Sequence, residues 1–416
     1  MTVVTTQLDC GITVVTERMP DVRSVAAGFW VGTGSRDEDP AVSGASHFLE
    51  HLLFKGTEQR SAREIAEAID AVGGDMNAFT TKEYTAFYLR VLSNSLELGL
   101  DLLSDIMWAP AFRPAEIDAE RQVILEEILM HNDEPADLVH EVFTEALYPG
   151  HPLGREVLGD EHTVSGLGRD GIAAFHGHHY RPGNIVMAAA GDLDHEQVAA
   201  GIQRRFAGQP GGGSPLRKAP DQTPQVVSVV NRATEQAHVV VGVAALDRND
   251  DDRFALTIIN HVLGGGMSSR LFQEIREERG LAYSVYSYRS AYEDAGALAV
   301  YAGTGPARVG EVLDLIDTEL DRLLAEGVSD RELVMAKTHL NGSLALSLED
   351  SGARMSRLGH SQLVHGRVAS IDELDASIAR VTSDDIDRVI SRVFSGRRVL
   401  AVVGPFAEED FAERSR

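Results

Sequence analysis

Two stretches of the chain carry an unbroken apolar pattern that reads as buried strand, Val25 to Val31 (VAAGFWV) and Val239 to Ala245 (VVVGVAA). Each runs into a polar loop, Asp37-Glu38-Asp39 in one case and Asp247 to Asp252 in the other, and then into a helical pattern. The first helix carries Ser46-His47-Phe48-Leu49 and the second Asn260-His261-Val262-Leu263, so Gly28 falls on Gly242 and His47 on His261 at a constant offset of 214 residues. A second helical stretch follows in each half (Ala62 to Val72; Ser269 to Arg279). Segments of strand character come next, Met76 to Phe79 with Thr85 to Val91, and Tyr283 to Tyr288 with Ala297 to Ala302. Amphipathic helices then match as Leu96 to Met107 and Val309 to Leu324. Strands and helices arranged in blocks predict an α+β fold of two homologous domains that arose by internal duplication. Each is a mainly antiparallel sheet covered on one face by helices. The periodicity stops at Gly208-Gln209-Pro210-Gly211-Gly212-Gly213-Ser214-Pro215, with Pro220 and Pro224 beyond. Flexible glycines and stiff prolines mark a linker over 209–224, between domains at 1–208 and 225–416.

Composition narrows the function classes. With 64 acidic against 38 basic side chains the net charge is −26, which repels phosphate backbones and anionic lipid and speaks against nucleic-acid or membrane partners. No segment approaches the roughly 18 apolar residues of a membrane span. Cys10, at an expected hairpin turn, is the single cysteine, so there is no intrachain disulfide, no CxxC pair and no cysteine-based zinc site. The start, Met1 to Thr6, lacks the basic and apolar regions of a signal peptide, and a cytoplasmic location is expected.

The sharpest local signal is His47-Phe48-Leu49-Glu50-His51 inside the first helical pattern. At about 100° per residue, His47 and His51 are one turn apart on one face and Glu50 lies about 60° to the side of His47. Two imidazoles suit zinc, a catalytic site needs a third protein ligand and a water position, and a neighbouring carboxylate can serve that water as general base. A helix is predicted over Pro114 to Met130, with proline in its first turn and Glu116, Asp118 and Glu120 near its positive end. Glu120 and Glu127 share one face of it, and a glutamate from this helix can complete a His, His, Glu set. Periodicity alone does not separate Glu126 from Glu127.

The run Ser46-His47-Phe48-Leu49-Glu50-His51-Leu52-Leu53-Phe54-Lys55-Gly56-Thr57 resembles the signature of the inverted-zincin metallopeptidases, the family of pitrilysin, insulin-degrading enzyme and the mitochondrial processing peptidase. The likeness is nearest to the bacterial two-domain, processing-peptidase-like members. It implies a zinc endopeptidase with one zinc ion per chain, held by His47, His51 and Glu127, since the family's third ligand stands about 76 residues beyond the second histidine. It further implies Glu50 as the general base and Glu120 as a carboxylate that orients a liganding histidine. Asn77-Ala78-Phe79-Thr80 is similar to the family's edge strand, on which an extended substrate adds by backbone pairing. Arg276 and Tyr283 match an arginine and tyrosine pair that contacts substrate carbonyls, and both can donate to a developing oxyanion. Members of this length pair into a clamshell around a closed chamber, so a homodimer is expected, with Arg276 and Tyr283 reaching the partner's site. Peptides or unfolded, presequence-like segments are the expected substrates, basic ones if the acidic balance extends inside.

In the second half His261-Val262-Leu263-Gly264-Gly265 stands where His47 to His51 stand in the first, so the base and the second ligand are lost and the copy is degenerate. Two alternatives remain, a catalytically silent scaffold subunit and an active subunit that needs a different, glycine-loop partner chain. His176, His178 and His179 cluster in sequence without a carboxylate at ligand spacing and read as a solvated segment. The glycines at 264–266 lack the GK[ST] ending of a phosphate loop.

Overall fold

The computed structural model describes residues 2–208 and 211–415, so Gln209 and Pro210 of the expected linker lie outside the described residues. The chain forms two compact units that are discontinuous in sequence. Unit 1 is Met1–Leu129, Glu156–Arg217 and Ala345–Ala369; unit 2 is Met130–Arg155, Lys218–Leu344 and Ser370–Arg416.

Unit 1 holds a six-stranded sheet of β1 (Val3–Gln7), β2 (Thr13–Arg18), β3 (Ser24–Val31), β4 (Asp75–Thr80), β5 (Thr85–Leu92) and β6 (Ile185–Gly191). Its order is β1-β2-β6-β3-β5-β4, antiparallel throughout except for the β2 and β6 pair. Unit 2 holds β7 (Val227–Asn231), β8 (Ala237–Ala244), β9 (Ala282–Ala291), β10 (Gly296–Thr304) and β11 (Val399–Gly404), in the order β7-β11-β8-β10-β9 with β7 and β11 parallel. Matched from β2 onward, the two sheets have the same order and the same single parallel pair. The duplication written in the sequence is therefore a duplication of topology, to which β1 is an addition.

Each sheet is covered on both faces and not on the one face expected, which is why the apolar runs are continuous. Along β3, Val25, Ala27, Phe29 and Val31 face the main core with Phe48, Leu49, Leu102 and Leu103. Ala26 and Trp30 face the other way, onto Met355 and Leu358 of the Ser351–His365 helix. Burial of such a side chain stabilises by about 1.5–3 kcal/mol. In unit 2, Val239 and Val241 face that unit's main core while Val240 meets Val139 and Phe143 of the Pro135–Leu147 helix. Each sheet thus carries the helices expected from its own half on one face, and a single helix from the other half of the chain on the opposite face. Glycines make room for the exchange. A Cβ at Gly359 would lie 2.3 Å from the Trp30 ring, and one at Gly242 would lie 2.6 Å from Phe143.

The linker is anchored where it leaves unit 1. Arg217, almost fully buried, donates to both Asp37 carboxylate oxygens at 2.9 and 2.8 Å and to the carbonyls of Gly32 and Glu83.

Candidate metal centre

The helix that bears the motif, Ala45–Leu53, buries Phe48, Leu49, Leu52 and Leu53 and turns His47, Glu50 and His51 to the other side, as the 3.6-residue period requires. Its first turn is fixed by a buried carboxylate. Gly44 takes φ +91°, a left-handed value suited to glycine, and Glu38 accepts hydrogen bonds from the amides of Gly44 (2.8 Å) and Ser46 (2.7 Å). A negative charge at a helix N-terminus contributes about 0.3–1 kcal/mol, and here it sets the phase of the residues one turn on.

The second helix, Pro114–Asn132, brings Glu127 to the two histidines. One oxygen, Glu127 Oε2, lies 3.7 Å from His47 Nε2 and 3.5 Å from His51 Nε2. The three residues can offer atoms that all fall within 4.8 Å of one another. Glu126 points to solvent. These separations are longer than hydrogen bonds and close to the roughly 3.3 Å that separates ligand atoms set tetrahedrally about 2.0–2.1 Å from zinc. Desolvation by burial, with the neighbouring His51 adding to it, pulls His47 down to about 3, so its imidazole is neutral, the form that ligates. Two imidazole nitrogens and one carboxylate oxygen, with a fourth direction left over, fit a zinc ion.

Two further carboxylates frame the cluster. Glu120, buried on the same helix as Glu127, receives Lys55 Nζ at 2.7 Å and presents its other oxygen to His51 Nδ1 at 3.9 Å. Glu50 is pushed up by its desolvation, against a hydrogen bond from Thr80. The sequence gives Lys55 no role beyond its place in the motif run and gives Thr80 only a place in the expected edge strand, with no link to Glu50. Lys55 lies one turn beyond His51, which was the available signal; Thr80, 30 residues from Glu50, offered none.

Asn77, Ala78 and Phe79 lie on β4, which pairs with β5 on one side and is the outer strand of its sheet. Arg276 and Tyr283 are brought together in unit 2. The stretch read as an ordinary helix over Ser269 to Arg279 contains a π-helical turn, Phe272–Glu278. From it the Arg276 guanidinium stacks over the rings of Phe272 and Tyr283, each at 4.7 Å, and Tyr283 is largely exposed. The degenerate copy is closed by packing. A Cβ at Gly264 would lie 2.4 Å from the Ser287 amide, one at Gly265 would lie 2.7 Å from His261 Cα, and His261 stacks on His339. The reading of 176–179 as solvated needs correction at His176, which turns inward and bonds the Met107 carbonyl through Nε2 at 2.8 Å, and at His179, which is partly buried with Nδ1 3.4 Å from the Thr33 hydroxyl. The apolar face of the Arg169–His179 helix, with Ile172 and Phe175, draws it in.

Comparison with known proteins agrees with this division. The model of the insulinase family, peptidase family M16, matches residues 13–161, which hold the cluster, and the model described as the peptidase M16 inactive domain matches residues 166–340. An uncharacterized zinc protease of Streptomyces coelicolor is 47% identical over 98% of this chain and 91% of its own length. The uncharacterized zinc protease YmxG of Bacillus subtilis is 39% identical over 95% and 96%. Among solved structures, a peptidase M16 inactive domain from Pseudomonas fluorescens superposes with a TM-score of 0.91 at 22% identity over 98% of both chains, a likeness of fold. On the matched models and the identity to these relatives, the chain belongs to peptidase family M16 and is a metalloprotease of that family.

Proposed function

We propose that the chain is an active zinc endopeptidase with one zinc ion per chain, held by His47, His51 and Glu127, and with Glu50 as general base. The observation that carries this reading is the approach of both Nε2 atoms to a single Glu127 oxygen, with the Glu50 carboxylate one residue from His51. When bound there, zinc supplies an acidified water and a polarised peptide carbonyl. Glu50 takes the proton of the attacking water and returns it to the leaving amine. Its raised affinity for protons suits both steps. The outer edge of β4 at Asn77, Ala78 and Phe79 pairs with the extended peptide backbone. Arg276 and Tyr283 donate to the carbonyl oxygen as it gains charge. They come from the second copy of a homodimer, whose closed chamber admits peptides and unfolded segments, basic ones preferentially given the net charge of −26. The single cysteine suits a reducing cytoplasm.

The test compares metal content and cleavage of a fluorogenic basic peptide library for the native chain and Glu50→Gln. We expect about one zinc in each and a loss of kcat of roughly 10²–10⁴-fold in the variant. Mixing Glu50→Gln with Arg276→Ala should recover activity that neither has alone. Zinc bound by a native chain that cleaves nothing makes the chain a scaffold or one lacking its partner. Absence of zinc from both overturns the ligand assignment.

A further inference from the structure

Thr80 is the last residue of β4, and its hydroxyl donates to Glu50 Oε2 at 2.6 Å. An O–H to carboxylate bond of that length is of the strong, charge-assisted kind. A glutamate's terminal torsion is otherwise broad and two-fold, so the contacts Thr80 makes with this carboxylate, the hydroxyl bond foremost and its backbone more weakly, decide how it is rotated.

The strand end that supplies the hydroxyl is itself held on several sides. Thr80 sits opposite Thr85 of β5, and Thr85 Oγ1 donates to the Thr33 carbonyl at 3.0 Å. The turn that follows is closed by Thr81 Oγ1, which accepts from the Tyr84 amide at 3.1 Å. Thr80 is β-branched and in a strand, so its own side chain has few rotamers to choose from. The donor is thus fixed relative to β4, and β4 is the open edge of the sheet.

We propose that Thr80 is a positioning residue for the base: holding Oε2, it leaves Oε1 as the oxygen that takes the proton and ties the height of that oxygen to the strand on which the peptide backbone is seated. The inference rests on the peptidase reading above. A peptide paired to β4 then arrives in register with an oriented base, a coupling that matters because an error of about 1 Å at the reacting atoms costs on the order of 100-fold in rate.

Thr80→Val keeps the shape and strand preference and removes only the hydroxyl; Thr80→Ser keeps the donor. The expected result is a fall in kcat of about tenfold in Thr80→Val, with KM and zinc affinity in chelator competition unchanged, and recovery of most of it in Thr80→Ser. In the Glu50→Gln background Thr80→Val should have no further effect, since the group it positions is gone. In metal-free protein with ¹³C-labelled glutamate carboxyls, the Glu50 resonance, assigned by its loss in Glu50→Gln, should move in Thr80→Val and return in Thr80→Ser. The proposal is overturned if kcat is unchanged, if Thr80→Ser is as impaired as Thr80→Val, if the two substitutions act independently, or if the carboxyl resonance does not move. If the native chain cleaves no peptide, the peptidase reading falls, and the carboxyl resonance alone decides the Thr80 contact.

Discussion

Lys55 contributes to the cluster without touching a ligand. Its ammonium is clamped on Glu120 Oε1 at 2.7 Å, and Glu120 is only 5% exposed, so the pair stands in a partly desolvated place where breaking it leaves a buried carboxylate unpaired. The same carboxylate faces His51 Nδ1 at 3.9 Å. At that separation the carboxylate acts on the ring as a nearby negative charge and not as a hydrogen-bond partner, and carboxylates behind a liganding imidazole change metal affinity by about 10–100-fold. Lys55→Met should therefore weaken zinc binding by a factor in that range in chelator competition, while the far-ultraviolet dichroism stays native. An unchanged affinity would show that Glu120 holds its orientation without the lysine.

At the scale of elements, the exchanged helices give the sharpest stability test. Alanine is ordinarily favoured over glycine inside a helix by about 1 kcal/mol. At Gly359, within the Ser351–His365 helix, the new methyl would lie 2.3–2.5 Å from the indole ring of Trp30, itself fully buried and unable to swing away. Overpacking of this kind costs about 1–3 kcal/mol and outweighs the propensity. Gly359→Ala should lower the urea midpoint of unfolding. Gly177→Ala, in the Arg169–His179 helix with nothing within 4 Å of the added Cβ, should raise it slightly. The same helices mark where linear pattern stops being informative. That β3 is buried was legible in the absence of alternation along VAAGFWV, but cover on only one face was expected, because what covers Trp30 on the other face lies more than 300 residues away in the chain. Glu127 was placed on the right face by period and separated from Glu126 only by family likeness. The π-helical turn under Arg276 had no signature, since the four-residue separation of the buried Leu271 and Ile275 fits an α-helical and a π-helical turn alike.

At the scale of the whole molecule, acid stability is governed by histidines that burial keeps neutral. Desolvation takes His176 down to about 4, against the hydrogen bond to the Met107 carbonyl. Desolvation likewise takes His179 to about 4, with His178 adding to it, and His47 to about 3. In the unfolded chain each titrates near 6.5, so between about 6.5 and 4 the unfolded state binds more protons than the native one. The stability these groups permit is complete above about pH 6.5 and falls as the pH drops through 6.5 toward 4, by about 1.4 kcal/mol per unit of depression for each fully buried group. His140, His238 and His261 are lowered by desolvation in the same sense, and Glu50, whose affinity for protons is raised by burial, acts in the opposite one, a single group against several. Depressed carboxylates enter only at the acid end of this window. Glu332 is held down to about 2 by Arg270 and Ser329 against its own desolvation, and its contribution is lost only below about pH 4.5. Chelator-treated protein should therefore show a urea midpoint that is flat from pH 8 to 7 and declines steadily from 6.5 to 5. His176→Gln, which retains an amide donor for the Met107 carbonyl and cannot take up a proton, should show a shallower decline over the same interval. Equal slopes in the two chains would mean that His176 opens to solvent and titrates without unfolding, so that the acid limb belongs to the other desolvated histidines.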